Sequence, residues 1–444
     1  MTIKIPTKKV TLNEAQELRD NTLGFISKTA QEMGELSKIK IGFWDIYFVN
    51  HPEFIQHIFL DNWKNYGRET FQFNNFARVT GNGLLTTHGE YWQQQRRKLQ
   101  PGFHRSKMDG MANHISAAVH SMHNRWDHML TGNQTIGLDI DKEMLRLGLE
   151  IVGAALFSLD FSEESAELSQ EILEMMRYIV YRSQNLLALP TFVPTRRNRQ
   201  FKRTLSKVNK FIFQLITDRQ LSGKSHDDLL DLLLSGQKVP LPEDSLQIIR
   251  DEIITMIIAG YETVATGMGW MWSLLGHHPA VKEKICAEIA DTTFQCNAQL
   301  LSNLPYTTAA IQETFRLYPP SWLITRRSIK EDQIGNFAIP AGSIIVMCPY
   351  SMHRSESFWD RAGEFDPERW INPDKNRHKF AYFPFGGGPH LCIGQPLAML
   401  EAGLVLTKTL QKYKIAPVSP TVPDIQGQVT LRPKSPHYMH ISKR

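Results

Sequence analysis

Cysteine is scarce in this chain. The four in 444 residues (Cys286, Cys296, Cys348 and Cys392) stand far apart, with no Cys-x-x-Cys pair. That spacing excludes a zinc finger and a disulfide framework and fits a reducing compartment. Long apolar runs are missing too: no stretch of about 18 apolar residues is available to span a bilayer. The opening MTIKIPTKKVTLNEAQ lacks the apolar segment and cleavage site of a signal peptide, so a soluble, cytoplasmic protein without a transmembrane anchor is expected. No repeat, low-complexity block or Ser/Gly linker divides the sequence, and one domain over residues 1–444 is expected. Its parts would be an N-terminal extension and first helix at 1–36, a long central helix at 243–276 and a cysteine loop at 381–394. Net charge is only +5 and is spread along the chain, which gives no basis for nucleic-acid binding.

What is present is an apolar complement of 42%, enough for a large core. Periodicity predicts helices at 12–34, 52–60, 89–100, 107–131, 137–158, 163–183, 197–222 and 226–234. β-Branched and aromatic residues predict a hairpin at 37–49 and strands at 334–348. The fold class is therefore mainly α with small β-sheets. Residues 81–87 read as a turn-rich loop. The apolar, proline-broken segment 185–195, followed by a basic run from Arg196, reads either as a loop on the core or as a mobile lid over an apolar pocket.

One stretch stands out: Phe385-Gly386-Gly387-Gly388-Pro389-His390-Leu391-Cys392-Ile393-Gly394. Three successive glycines and a proline belong in a loop, and helical spacing resumes at 396–409. A thiolate close to a helix N-terminus is stabilised by orphan N–H groups and the helix dipole. Cys392 is thus suited to be a metal ligand or a nucleophile; the plainer reading is an inert, buried thiol.

Residues 243–276 form the longest helical pattern, with Pro242 near its start and Asp244 or Ser245 as candidate caps. Positions 253–260 are apolar all round and should be buried. A glycine, a carboxylate and a threonine then interrupt that core at Gly260, Glu262 and Thr263, as functional sites do. Thr263 can bond the carbonyl four residues back or release it to water, and Glu262 could pass protons. Alternatively, Gly260 marks a helix-packing notch. Glu313 and Arg316 share a helix face, and Arg369 is placed to close a triad that tolerates burial. Trp92 and Arg96 share a face of another helix; with Arg326 and His390 they suggest clamps for a ligand's carboxylates.

Four separated motifs, at 259–263, Glu313-x-x-Arg316, Pro367-Glu368-Arg369-Trp370 and 385–394, together resemble the cytochrome P-450 family of haem-thiolate monooxygenases over residues 37–444. The resemblance implies a single α-rich, triangular prism holding haem b. It makes Cys392 the axial thiolate on iron, where electron donation favours O–O cleavage. Phe385 would lie against the cysteine and tune it. His390, Trp92, Arg96 and Arg326 would bind propionates, with Arg327 the less favoured substitute for Arg326. Gly394 would let the following helix approach the ring, and Glu313, Arg316 and Arg369 would form a structural triad. Thr263 and Glu262 would deliver protons during oxygen activation.

The absence of an N-terminal anchor sets the chain apart from microsomal members and implies a soluble, bacterial-type protein; a monomer is expected. No reductase module fits the remaining length, so electrons would come from a separate ferredoxin or flavodoxin with its reductase. That partner would dock on a basic face near His390 and the helix carrying Arg96, Arg97 and Lys98. Isomerase, dehydratase or peroxygenase chemistry on the same haem is disfavoured by the Glu262-Thr263 pair, and a haem sensor lacks a visible signalling domain. A cysteine hydrolase would want glycine where His390 stands. Phe73, Leu84, Leu85, Leu187, Ile257, Ala259, Trp322, Leu323 and Ile324 are apolar pocket candidates for a fatty acid, terpenoid, steroid or similar substrate, and read equally as core.

Overall fold

The computed structural model describes residues 4–42, 44–159, 166–184, 188–291 and 297–444. Residues 1–3, Phe43, residues 163–165 of the predicted helix, residues 185–187 (Leu187 among them) and Cys296 lie outside the described residues. The chain forms two compact units. One comprises Met1–Gln72, Ala309–Cys392 and Pro423–Ser435; the other comprises Phe73–Thr308, Ile393–Val422 and Pro436–Arg444.

The first unit is built on a six-stranded mixed sheet. Its order is Thr7–Lys9, Leu36–Ile41, Trp44–Val49, Ile344–Met347, Ile324–Ser328, Tyr66–Gly67. The hairpin Leu36–Ile41/Trp44–Val49 forms as its β-branched and aromatic residues predict. Its second strand runs parallel to Ile344–Met347. Tyr47, Val49, Ile345 and Met347 from the sheet share a buried cluster with Phe59, Phe380 and Phe383. The floor under the cysteine loop is therefore apolar and continuous with the sheet. The strand Ile324–Ser328 carries two arginines and no long apolar run, so propensity alone did not reveal it; pairing on both edges overrides that signal.

The second unit is mostly helical. Its axis is the helix Glu243–His277, 35 residues long and about 50 Å from end to end. Pro242 occupies the cap position without a side-chain cap. Neither Asp244 nor Ser245 caps the helix, because it already starts at Glu243; Asp244 instead sits in the first turn, where its charge complements the dipole. Ile253, Ile254, Met256, Ile257 and Ile258 are buried, as an all-round apolar stretch must be. The helix Ile140–Phe157 packs closely against this axis. A Cβ on Gly148 would stand 2.8 Å from the Tyr261 carbonyl oxygen, and one on Gly260 would stand 2.9 Å from Val152 Cγ2. Gly260 is thus a packing notch, and Val152 fills it.

Several predicted helices differ in extent: the 226–234 pattern forms helix only over Leu229–Leu234, and the 52–60 pattern passes from α-helix at Pro52–Gln56 to a π-helical turn at His57–Asp61. The 12–34 pattern is two helices, Leu12–Asp20 and Thr22–Glu32, because Asn21 turns the chain and caps the second by accepting the Gly24 N–H at 3.1 Å. Residues 136–139 form a strand paired with Tyr438–Lys443, and the helix starts only at Ile140. Among the described residues no helix is long and apolar enough to cross a membrane.

Candidate functional site

In the first unit, the cysteine loop is shaped by two glycines in the left-handed region, Gly386 (φ 73°) and Gly388 (φ 62°). Gly388 has no alternative. A Cβ there would fall 1.7 Å from the carbonyl oxygen of Phe59. The loop closes on itself where the Cys392 N–H donates to the Phe385 carbonyl at 3.0 Å. Phe385 stands edge-on to Phe315, with centroids 5.7 Å apart. Cys392 is exposed and forms no disulfide, so the thiol is not buried. His390 lies edge-on to Trp63, with centroids 5.6 Å apart.

The strand Ile324–Ser328 turns Arg326 inward and Arg327 to solvent, as strand alternation requires. The Arg326 guanidinium lies over the Phe59 ring, 5.3 Å from its centroid, and donates to the Thr325 carbonyl at 2.8 Å. Burial pushes its pKa down to about 10. A carboxylate brought beside it would reverse that penalty.

Behind the loop, Glu313, Arg316 and Arg369 meet as a buried cluster. Arg316 holds the Glu313 carboxylate with two donors, each at 2.8 Å, and Arg369 Nε reaches it at 2.9 Å. Two further donors were not foreseen: the Trp370 indole N–H at 2.8 Å and the Asp366 N–H at 3.0 Å. Five donors on one carboxylate offset the cost of burying it. His353 was missed altogether. It is fully buried and joins this cluster to the loop. Its only sequence signal was a histidine beside an arginine.

The second unit carries Trp92, Arg96, Glu262, Thr263 and Gly394. Trp92 and Arg96 share the helix Gly89–Leu99; Trp92 is buried, and Arg96 Nε donates to Gln100 at 3.3 Å. Arg97 is exposed. Lys98 is half-buried: its amine donates to the Leu233 carbonyl at 3.1 Å, and burial lowers its pKa. Thr263 Oγ1 donates to the Ala259 carbonyl at 2.8 Å, and Glu262 beside it is buried. Upstream on the long helix, Asp251 accepts the Asn82 N–H at 2.8 Å and Glu252 accepts the Leu84 N–H at 3.0 Å. Burial pushes the Glu252 carboxyl up to about 7. Phe73, Leu84, Ile257, Trp322 and Ile324 are buried, whereas Leu85, Ala259 and Leu323 are half-buried. The described part of segment 185–195 is tied down by Asn198, which donates to the Pro190 and Val193 carbonyls at 2.9 and 2.8 Å.

Gly394 is the cap of the helix Gln395–Lys412, and a Cβ on it would meet nothing nearer than Phe103 at 4.0 Å. The residues fit a haem. Within the first unit, an exposed thiol is available to iron, and a desolvated guanidinium is suited to a propionate.

The family model described as Cytochrome P450 matches residues 6–440. Among curated relatives, the cyclooctat-9-en-7-ol 5-monooxygenase of Streptomyces melanosporofaciens is 29% identical, the alignment covering 87% of this chain and 84% of that protein. The pentalenene oxygenase of Streptomyces avermitilis is 28% identical, covering 91% and 89%. The crystal structure of the cytochrome P450DA heme domain superposes with a TM-score of 0.87 over 100% of this chain and 98% of that one, at 20% identity.

Proposed function

The chain belongs to the cytochrome P450 family and is a haem-thiolate monooxygenase, and from that premise we propose that it oxygenates a cyclic terpenoid using haem b ligated by Cys392. The observation that carries the ligand assignment is the exposed Cys392 thiol, presented by a loop whose shape Gly388 and the Phe59 carbonyl impose. The terpenoid class is supported by the relatives named for cyclooctat-9-en-7-ol and pentalenene. The family match runs through both compact units, which supports reading them as one domain.

When bound, the haem activates dioxygen so that one oxygen atom enters the substrate. The chain's residues hold and serve it. Phe385 fixes the cysteine through its carbonyl, which accepts the Cys392 N–H. Arg326, His390, Trp92 and Arg96 bind the propionates, Arg326 gaining most because its charge is already desolvated. Thr263 rotates its hydroxyl from the Ala259 carbonyl to a water, and Glu262 replenishes the proton. Electrons come from a separate ferredoxin or flavodoxin and its reductase, for which exposed Arg97 offers a cation to an acidic surface. The enzyme works as a cytoplasmic monomer.

The test has two arms. Carbon monoxide on the reduced holoprotein should give the red-shifted Soret band of a thiolate-bound haem, and Cys392→Ala should lose it; an unshifted band in the wild type would sink the ligand assignment. Titration with cyclic terpenes and terpene alcohols should shift the ferric spin state, and a response confined to fatty acids or steroids would remove the terpenoid class.

A further inference from the structure

His353 lies between the Glu313 cluster and the cysteine loop, and its hydrogen bonds settle its tautomer. The Phe383 N–H donates to Nε2 at 2.9 Å. A backbone N–H can only donate, so Nε2 must present its lone pair and the ring proton must sit on Nδ1. Nδ1 faces the Arg316 carbonyl at 3.1 Å and donates to it. Arg316 answers from its other end: its Nη1 donates to the His353 carbonyl at 2.5 Å. Residue and ring are therefore clamped in both directions to the arginine that holds Glu313. The imidazole is fully buried and packs against Tyr382 at 5.2 Å and edge-on to Phe383 at 5.4 Å.

From Phe383 the connection runs on through the main chain. The Phe383 carbonyl accepts the Gly386 N–H at 3.0 Å, and the Phe385 carbonyl accepts the Cys392 N–H at 3.0 Å. An unbroken relay thus links the Glu313 carboxylate to Cys392, through Arg316, His353, Phe383 and the turn of the loop. Every other bond in the relay involves either the charged cluster or the loop itself. His353 is the single side chain that bridges them in this relay.

We propose that His353 is a positioning residue for the haem ligand, transmitting the fixed location of the Glu313–Arg316–Arg369 cluster to the Cys392 loop through its neutral Nδ1–H tautomer. The proposal rests on Cys392 being the iron ligand. A ring that took a second proton could no longer accept from Phe383, and both burial and the Arg316 charge oppose that proton. The histidine is therefore a fixed strut over the working pH range rather than a switch.

Three substitutions separate positioning from bulk stability. His353→Phe keeps a ring and loses both bonds. His353→Asn keeps a polar group near the Nδ1 position, able to reach Arg316 but not Phe383. His353→Gln places an acceptor near the Nε2 position, within reach of Phe383. The readout is the fraction of reduced, carbon-monoxide-bound haem with the red-shifted thiolate band, normalised to haem content. The expected result is loss of that band in most of the Phe and Asn proteins, with several-fold higher retention in Gln. His123→Phe, which removes a different buried histidine, should keep the wild-type band. Equal retention in Gln and Asn, or more in Asn, overturns the proposal, as does a wild-type band in His353→Phe. A wild type without the band would instead refute the Cys392 assignment, so the two failures are distinguishable.

Discussion

The Glu252 carboxylate accepts the Leu84 N–H at 3.0 Å, and that bond ties the loop at 81–87 to the long helix. Its other oxygen is buried without a hydrogen-bond partner among the described residues. Burial is the main cause that raises this carboxyl from 4.5 to about 7, the Leu84 N–H opposes it, the Asp251 charge adds to it, and Lys98 opposes it. Tyr91, whose own pKa is pushed up by burial first and then by the Glu252 and Asp251 charges, also interacts with the group. Because the folded pKa lies above the unfolded one, the folded state keeps its full advantage below about pH 4.5 and loses it as pH rises to about 7. The loss is about 3 kcal/mol. Glu252→Gln should therefore gain on the wild type in denaturant unfolding as pH increases from 5 to 8. A difference that does not change with pH would show that Glu252 is not held neutral.

A second expectation concerns the buried triad. Glu313 carries five donors, four of them from Arg316 or Arg369 guanidinium and Trp370 indole nitrogens. Glu313→Gln leaves two buried guanidinium groups without their countercharge and should cost about 3–5 kcal/mol in unfolding free energy. A loss below about 1 kcal/mol, the worth of an exposed pair, would mean that solvent reaches the cluster.

That triad was largely legible in the sequence, since an i,i+3 pair and a later arginine are visible as charges in search of partners. His353 was not. Its bonds go to the main chain of Arg316 and Phe383, and a carbonyl carries no sequence signature. The long helix announced itself by apolar residues on every side. The strand Ile324–Ser328 did not, because its pairing partners are distant and its arginines mask the alternation. At Gly260 the sequence left a packing notch and a functional spot open, and Val152 occupies the notch.

The two loop glycines should respond differently to the same methyl group. Gly388→Ala places a Cβ on the Phe59 carbonyl at a positive φ, so the loop should not form and the holoprotein should not accumulate. Gly394→Ala meets no protein atom closer than 4.0 Å, so the chain should fold normally. If haem content measured by pyridine haemochrome falls in Gly394→Ala while circular dichroism is unchanged, the methyl is meeting the cofactor. Wild-type haem content would separate Gly394 from the ring.

Thr263→Ala should leave stability within about 1 kcal/mol, because only one bond to the Ala259 carbonyl is lost. Its effect should appear in coupling: electrons consumed per product should rise and peroxide should accumulate. Unaltered coupling, measured by reductant consumption against product, would exclude Thr263 from proton delivery.

The contact between Gly388 and Phe59 has a genetic corollary. The atom that forbids a side chain at 388 is a main-chain oxygen, and every amino acid at position 59 would carry the same oxygen. No second-site change at 59 can therefore make room, and the usual route of swapping bulk between neighbours is closed. Variation in this loop is channelled to Gly386, where a Cβ would find its nearest atom 4.0 Å away. Its φ of 73° favours asparagine among the replacements.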